Sequence, residues 1–258
     1  MAVKITIKNL SIMYDSIRAL DNISISVEAG KITALVGPNG AGKTTLLKSI
    51  NGILKPFTGV VLIDGLEVAK IKSRDLAMKV GYVPQSASPY LPFTVFEVVL
   101  MGRRPYINWI VSERDIEIVN RILKIMKIDY LRDRYFDEIS AGEKQKVMIA
   151  RALAQEPEIL LLDEPTSNLD LRHQIEILGL VRELCKEKKL TVMMAMHDLN
   201  LAYRYSDFII MLKNGKIHAY GEPSEVLTPE NIRDVYGVDV FIVDTPFRVI
   251  IPTEVIRD

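Results

Sequence analysis

The chain has 258 residues, enough for one large domain or a core carrying a lobe, and its 48% hydrophobic content supports a sizeable core. Lysine plus arginine equals aspartate plus glutamate, 33 against 33, so no basic excess points to nucleic acid or to an anionic membrane surface. Cys185 is the only cysteine, which excludes an internal disulfide, and no apolar run nears the ~20 residues that span a bilayer.

Val3-Lys4-Ile5-Thr6-Ile7-Lys8 alternates apolar and polar, the pattern of a strand and not of a signal peptide. Antiparallel strands are expected over Ile5–Lys8, Ser11–Tyr14 and Ile23–Val27. Ile32–Val36 reads as a buried strand and Thr45–Ile50 as the first turns of a helix. Between them Gly37-Pro38-Asn39-Gly40-Ala41-Gly42-Lys43-Thr44 spells G-x-x-x-x-G-K-T. Glycines let such a loop aim its N–H groups at one anion, and the helix start adds its positive dipole end. Lys43 is placed for the β- and γ-phosphates and the Thr44 hydroxyl for Mg²⁺. With glycine at about 7%, chance produces the pattern in roughly one chain of this size in a hundred, and the flanking strand and helix lower those odds.

Further on, Pro56–Gly59 reads as a turn, Val60–Ile63 as a strand and Val80–Val83 as a short strand ending at Pro84-Gln85. The runs Lys70–Arg74 and Lys186–Lys189 read as solvated faces. From about Ser86 the periodicity turns helical, over Thr94–Arg104 and Ser112–Ile128, with Ser112 as N-cap and Ile116, Val119, Ile122, Leu123 and Met126 as one apolar face. A helical lobe inserted over 86–148 is expected. Strands return at Ile159–Leu162, Thr191–Met196 and Phe208–Leu212, with a helix from about Asp170 to Lys188 that buries Cys185. The alternation predicts a mainly parallel sheet covered on both faces. Asn214-Gly215 signals a hairpin, and the tail after Pro223 reads as a short helix and a final strand.

Two further stretches carry chemistry. Ile159-Leu160-Leu161-Leu162-Asp163-Glu164 is a buried strand ending in two carboxylates, placing Asp163 for the Mg²⁺ shell and Glu164 for the attacking water. Ser140-Ala141-Gly142-Glu143 is a capping box at a helix start; its small residues also allow an anion close to bare N–H groups.

In this order, the phosphate loop, Gln85, Ser140–Glu143, Asp163-Glu164, Ser167-Asn168-Leu169-Asp170 and His197 resemble the ATP-binding cassette (ABC) ATPases over essentially the whole chain. Ala141 and Glu143 stand where the family's signature usually has glycine and glutamine, and Asn168 where alanine is common. The resemblance implies an α/β fold: a P-loop NTPase core (1–85 and 149–222), an N-terminal antiparallel β subdomain, the helical lobe and a C-terminal tail (223–258), together one ABC ATPase domain. It implies ATP and Mg²⁺ as cofactors, with Glu164, His197 and Gln85 catalytic, and with Thr44, Gln85 and Asp163 on the metal. Tyr14, Gly37, Pro38, Asn39, Gly40, Ala41, Gly42, Lys43, Thr44, Thr45, Ser140, Ala141, Gly142, Glu143 and Asp170 bind nucleotide on the same basis. Each ATP is sandwiched between two copies, so a homodimer is expected. Asp170 also reads as the N-cap of its own helix, and His173 and His218 match no motif and read as surface residues.

Thr94–Tyr106 and Val235-Tyr236-Gly237-Val238 are similar to segments of the ATPases that serve siderophore, haem and cobalamin importers. Importer ATPases of zinc or manganese, and non-transport ABC ATPases such as iron–sulfur assembly proteins, share the remaining motifs. A P-loop kinase does not need the Ser140 motif, and no Asn-Lys-x-Asp stretch reads guanine. The expected partners are separate permease chains and an extracytoplasmic substrate-binding protein, with no nucleic acid. That places the chain on the cytoplasmic face of the membrane, and Tyr90-Leu91-Pro92-Phe93 is expected to help receive a permease helix.

Overall fold

The computed structural model describes residues 3–85, 93–244 and 248–255. Its elements follow in the order β1 (Val3–Tyr14), β2 (Ile17–Glu28), β3 (Ile32–Val36), α1 (Lys43–Ile50), β4 (Thr58–Ile63), β5 (Leu66–Glu67), α2 (Ser73–Lys79) and β6 (Val80–Val83). Next come α3 (Val95–Leu100), α4 (Glu113–Ile125), α5 (Ala141–Leu153), β7 (Ile159–Asp163), α6 (Leu171–Lys188), β8 (Thr191–Ala195) and α7 (Leu199–Tyr205). The chain ends with β9 (Phe208–Lys213), β10 (Lys216–Gly221), α8 (Pro223–Val226), α9 (Pro229–Tyr236), β11 (Val238–Val243) and β12 (Val249–Val255). Two compact units form, the first drawn from Met1–Lys70 and Val192–Asp258, the second from Ile71–Thr191.

In the first unit β2-β1-β4-β5 make an antiparallel sheet. Its alternation puts Ile5, Ile7, Leu10, Ile23, Val27, Val61 and Ile63 in the core. β1 is one continuous strand, not two, because bulges absorb the break around Asn9 while pairing with β2 and β4 continues on either side. A second set of strands, β10-β9-β3-β8, places β3 parallel to both β8 and β9. All five residues of β3 and of β8 are buried, as a strand covered on both faces requires. Asp207 fixes the start of β3 by accepting from the Ile32 amide at 2.9 Å. The tail is two helices and a β11–β12 hairpin instead of one helix and one strand. Asn200 of α7 grips β12 through both directions of one amide pair, donating to the Ile250 carbonyl (3.2 Å) and accepting from its N–H (2.7 Å).

In the second unit β6 and β7 pair in parallel. Gly81 of β6 admits Ala152 and Pro157 at distances a side chain would crowd. α3 packs on α4 and α5, burying Val95, Val98, Val99, Val119, Ile122 and Val147. The stripe of α4 includes Ile118 and leaves Ile116 38% exposed, because 118 and 122 share the inner face one turn apart. The charge run Lys70–Arg74, expected as a solvated face, leads into α2, where Leu76 is the single buried anchor. The mixed α/β architecture, with an antiparallel N-terminal sheet and parallel pairing elsewhere, is the fold the motifs imply. Among the described residues no helix is long and apolar enough to cross a membrane.

Candidate functional site

The phosphate loop runs from the end of β3 to the start of α1. Gly37 and Gly42 adopt φ of +149° and +104°, and a Cβ on either would strike backbone: the Leu212 carbonyl at 2.3 Å and the Ala19 carbonyl at 2.8 Å. Only glycine meets both demands, conformation and space. The loop is braced from the β9–β10 turn, where the Gly215 amide donates to Ala41 (3.2 Å) and its carbonyl accepts from Asp21 (2.8 Å). Lys43 is buried and donates to the carbonyls of Gly37 (2.7 Å) and Pro38 (3.1 Å), so its charge is held inside the curl of the loop. Tyr236 of α9 directs its buried hydroxyl at the Gly37 backbone, and burial raises the phenol above its ordinary value. The tail thus reaches the loop, a contact without any local sequence signal. Also in this unit, Tyr14 ends β1 at 43% exposure. His197 follows β8 on the surface, and Asp198 caps α7 by accepting from the Leu201 amide at 2.9 Å.

The second unit assembles the carboxylates. Asp163 closes β7 at 2% exposure and accepts from the Tyr82 hydroxyl at 3.2 Å. Glu164 follows the strand at once and sits at φ +53°, in the left-handed region that non-glycine residues seldom occupy. Gln85 donates through Nε2 to Glu164 Oε2 at 2.5 Å, joining two residues 79 apart in sequence. The loop behind them is pinned: the Ser167 hydroxyl donates to the Glu164 carbonyl (3.0 Å) and Gln174 to those of Thr166 (3.3 Å) and Leu169 (3.0 Å).

Ser140 caps α5. Glu143 Oε2 accepts from the Ser140 amide (2.9 Å) and hydroxyl (2.7 Å), and its Oε1 accepts from the Tyr130 hydroxyl (2.8 Å). The Ser140 hydroxyl, helped by its amide and by Tyr130, holds the Glu143 carboxyl below the ordinary glutamate value against partial burial. Asp170 caps α6 in the same way, kept low by the His173 amide and ring. His173, read from sequence as a surface residue, instead lies against Gly142. His218 is exposed, as expected. Tyr90, Leu91 and Pro92 of the expected permease contact lie outside the described residues.

Residues 20–167 match the family model described as "ABC transporter". The chain is 50% identical over 238 residues to an uncharacterised ABC transporter ATP-binding protein of Methanocaldococcus jannaschii, covering 92% of this chain and 93% of that one. It is 38% identical over 243 residues to the ferric enterobactin transport ATP-binding protein of Escherichia coli, covering 93% and 89%. Among solved structures it superimposes on a transporter assigned to the metal-chelate type, in an inward-facing conformation, with a TM-score of 0.87, 28% identity and 98% of each chain covered.

Proposed function

This chain belongs to the ABC transporter family of ATP-binding ATPases, and from that premise we propose that it is the nucleotide-binding subunit of an importer for iron chelates or cobalamin. The ferric enterobactin relative, similar along nearly its whole length, supports the cargo class. The resemblance of Thr94–Tyr106 and Val235–Val238 to such ATPases favours it over zinc or manganese import.

In this proposal the amides of Gly37–Thr45 and the Lys43 ammonium hold the phosphates, and Tyr14 stacks on the adenine. Glu164 takes a proton from the attacking water as general base, with Gln85 fixing its carboxylate. His197 contacts the γ-phosphate. The donor set for a metal is one hydroxyl, one amide oxygen and one carboxylate, from Thr44, Gln85 and Asp163. Hard oxygen donors few in number would suit Mg²⁺. When bound, it neutralises charge on the phosphate oxygens. The tip Ser140–Glu143 and Asp170 of a second copy close the site, so hydrolysis requires two chains. The division into core, helical lobe 86–148 and tail 223–258 belongs to the same proposal. So do separate permease chains, an extracytoplasmic binding protein and residence at the cytoplasmic face of the membrane.

The single observation carrying this reading is the Gln85–Glu164 pair at the end of a buried strand that closes on Asp163, in a chain with a complete phosphate loop. Glu164→Gln tests it. The amide preserves shape and ATP binding while removing the base, so turnover falls about 10²–10⁴-fold and an ATP-dependent dimer accumulates on gel filtration. Unchanged turnover overturns the assignment of Glu164, and a species that stays monomeric with ATP overturns the shared site. Uptake of ferric chelates by vesicles carrying the neighbouring permease tests the cargo.

A further inference from the structure

Two helix starts meet in the second unit. Gly142, in the first turn of α5, has no room for a side chain: a Cβ there would lie 2.3 Å from Cδ2, 2.5 Å from Cγ and 2.8 Å from Nε2 of His173. The opposite edge of that ring faces Asp170, with Nδ1 2.9 Å from each carboxylate oxygen. A carboxylate only accepts, so Nδ1 carries the proton and donates. The His173 amide donates to the same carboxylate at 2.9 Å. His173 is thus wedged between the residue that caps α6 and the glycine behind the cap of α5. One turn further on a second strap repeats the link: Lys146 of α5 to Glu176 of α6 at 2.7 Å, with Arg172 on the same carboxylate at 2.9 Å.

A capping role for Asp170 needs only the His173 amide. The ring contact and the glycine that admits it add something a cap does not require. We propose that His173 is a positioning residue that locks the Ser140-led tip to the Asp170 loop, so that both reach a partner chain's nucleotide as one rigid element. This rests on the shared-site reading above. His173 itself touches no nucleotide. Without it, each tip meets the triphosphate independently and the loss falls on dimer closure, not on the phosphate loop.

The test uses the full chain carrying Glu164→Gln, which lets ATP accumulate the dimer. ATP binding to the monomer and the ATP concentration for half-maximal dimer are measured by equilibrium binding and analytical ultracentrifugation. With His173→Ala, monomer affinity is expected to stay within about twofold while the dimerisation midpoint rises at least tenfold (about 1.4 kcal/mol). His173→Asn, whose amide can replace the Nδ1 donor to Asp170, should recover much of that shift. An unchanged midpoint with His173→Ala, or an equal loss with His173→Asn, overturns the proposal.

A nucleotide-free measurement separates this from the reading beneath it. Gly142→Ala should lower the melting temperature while His173 is present, because the ring blocks the new methyl. Combined with His173→Ala it should leave the melting temperature unchanged or raise it, since alanine suits a helix better than glycine. Equal losses in the two backgrounds overturn the wedge. If the Glu164→Gln parent stays monomeric yet the sign reverses, the shared site fails and the Gly142–His173 wedge stands. If His173→Ala does not fold, the same reversal is read with His173→Asn at reduced size.

Discussion

Arg103 gives the sharpest energetic prediction. It is 2% exposed and makes four contacts: Nε to Asp115 Oδ1 (2.9 Å), Nη1 to the Ala154 carbonyl (2.7 Å) and to Glu156 Oε2 (3.0 Å), and its guanidinium over the Tyr106 ring (3.9 Å). These tie the segment after α3 to the first turn of α4 and to the carboxyl end of α5, about 20 Å along the helix from Ser140. Asp115 is buried as well. Burial alone would raise its pKa, but the Ser112 hydroxyl and Arg103 outweigh it and hold the carboxyl low. Arg103→Met keeps the volume and removes the charge. Breaking a buried pair and leaving one partner costs about 3–5 kcal/mol. Ser112 still donates to Asp115 through hydroxyl (2.6 Å) and amide (3.1 Å), which favours the lower end. The orphaned Ala154 carbonyl adds about 1 kcal/mol. The expected total is about 3–5 kcal/mol, or a fall in melting temperature of roughly 6–20 °C for a chain of this size.

Urea denaturation reads the loss directly. Adding Asp115→Asn should recover at least half of it, because the buried charge left behind is then gone. The sign of the pH dependence follows from the lowered carboxyl: its contribution is present above the unfolded value near 3.8 and disappears as pH falls through the still lower folded value. The gap between wild type and Arg103→Met should therefore narrow in acid. A single-variant loss below about 1 kcal/mol, or no recovery in the double variant, refutes the staple.

Ser140→Ala separates the two meanings of the α5 cap. Losing the cap costs about 1 kcal/mol of stability; if the hydroxyl also meets a triphosphate, ATPase activity per folded molecule drops as well, whereas purely thermodynamic loss leaves specific activity intact. Glu176 is pulled down to about 2, first by Lys146 and then by Arg172. Its side chain is 35% exposed, so solvent screening reduces the benefit to about 1 kcal/mol. Glu176→Gln should show that deficit at pH 7, and the deficit should vanish as pH falls from about 4.5 toward about 2; a deficit independent of pH contradicts the ion pair.

What could be read from sequence was local. Ser112, Ser140, Asp170 and Asp198 each cap the helix they precede, because one side-chain oxygen three residues from an amide is a short-range device. The Asn214-Gly215 turn takes positive φ at both residues, as its hairpin demands. The strand ending in Asp163 carries its burial in four successive apolar residues. Where the physics depended on a distant partner, the sequence was silent. β11 has no alternation that marks a buried face, and only β12 makes it a strand. α2 holds a single buried residue, too few for a helical stripe. Arg103 reads as one of two adjacent arginines, yet it is buried while Arg104 is exposed.

The same distinction explains the site. Gln85 and Glu164 each sit at the edge of a recognisable strand, but the bond between them links positions 79 apart. Gly142 gave half of a signal: a glycine in the first turn of a helix spends stability unless something needs its space. That something, His173, lies thirty-one residues on in another helix, and its own neighbourhood reads as surface because only one edge of the ring meets protein that is close in sequence. Glycines inside helix starts are therefore places where a sequence records a contact without naming the partner, and only coordinates supply the name.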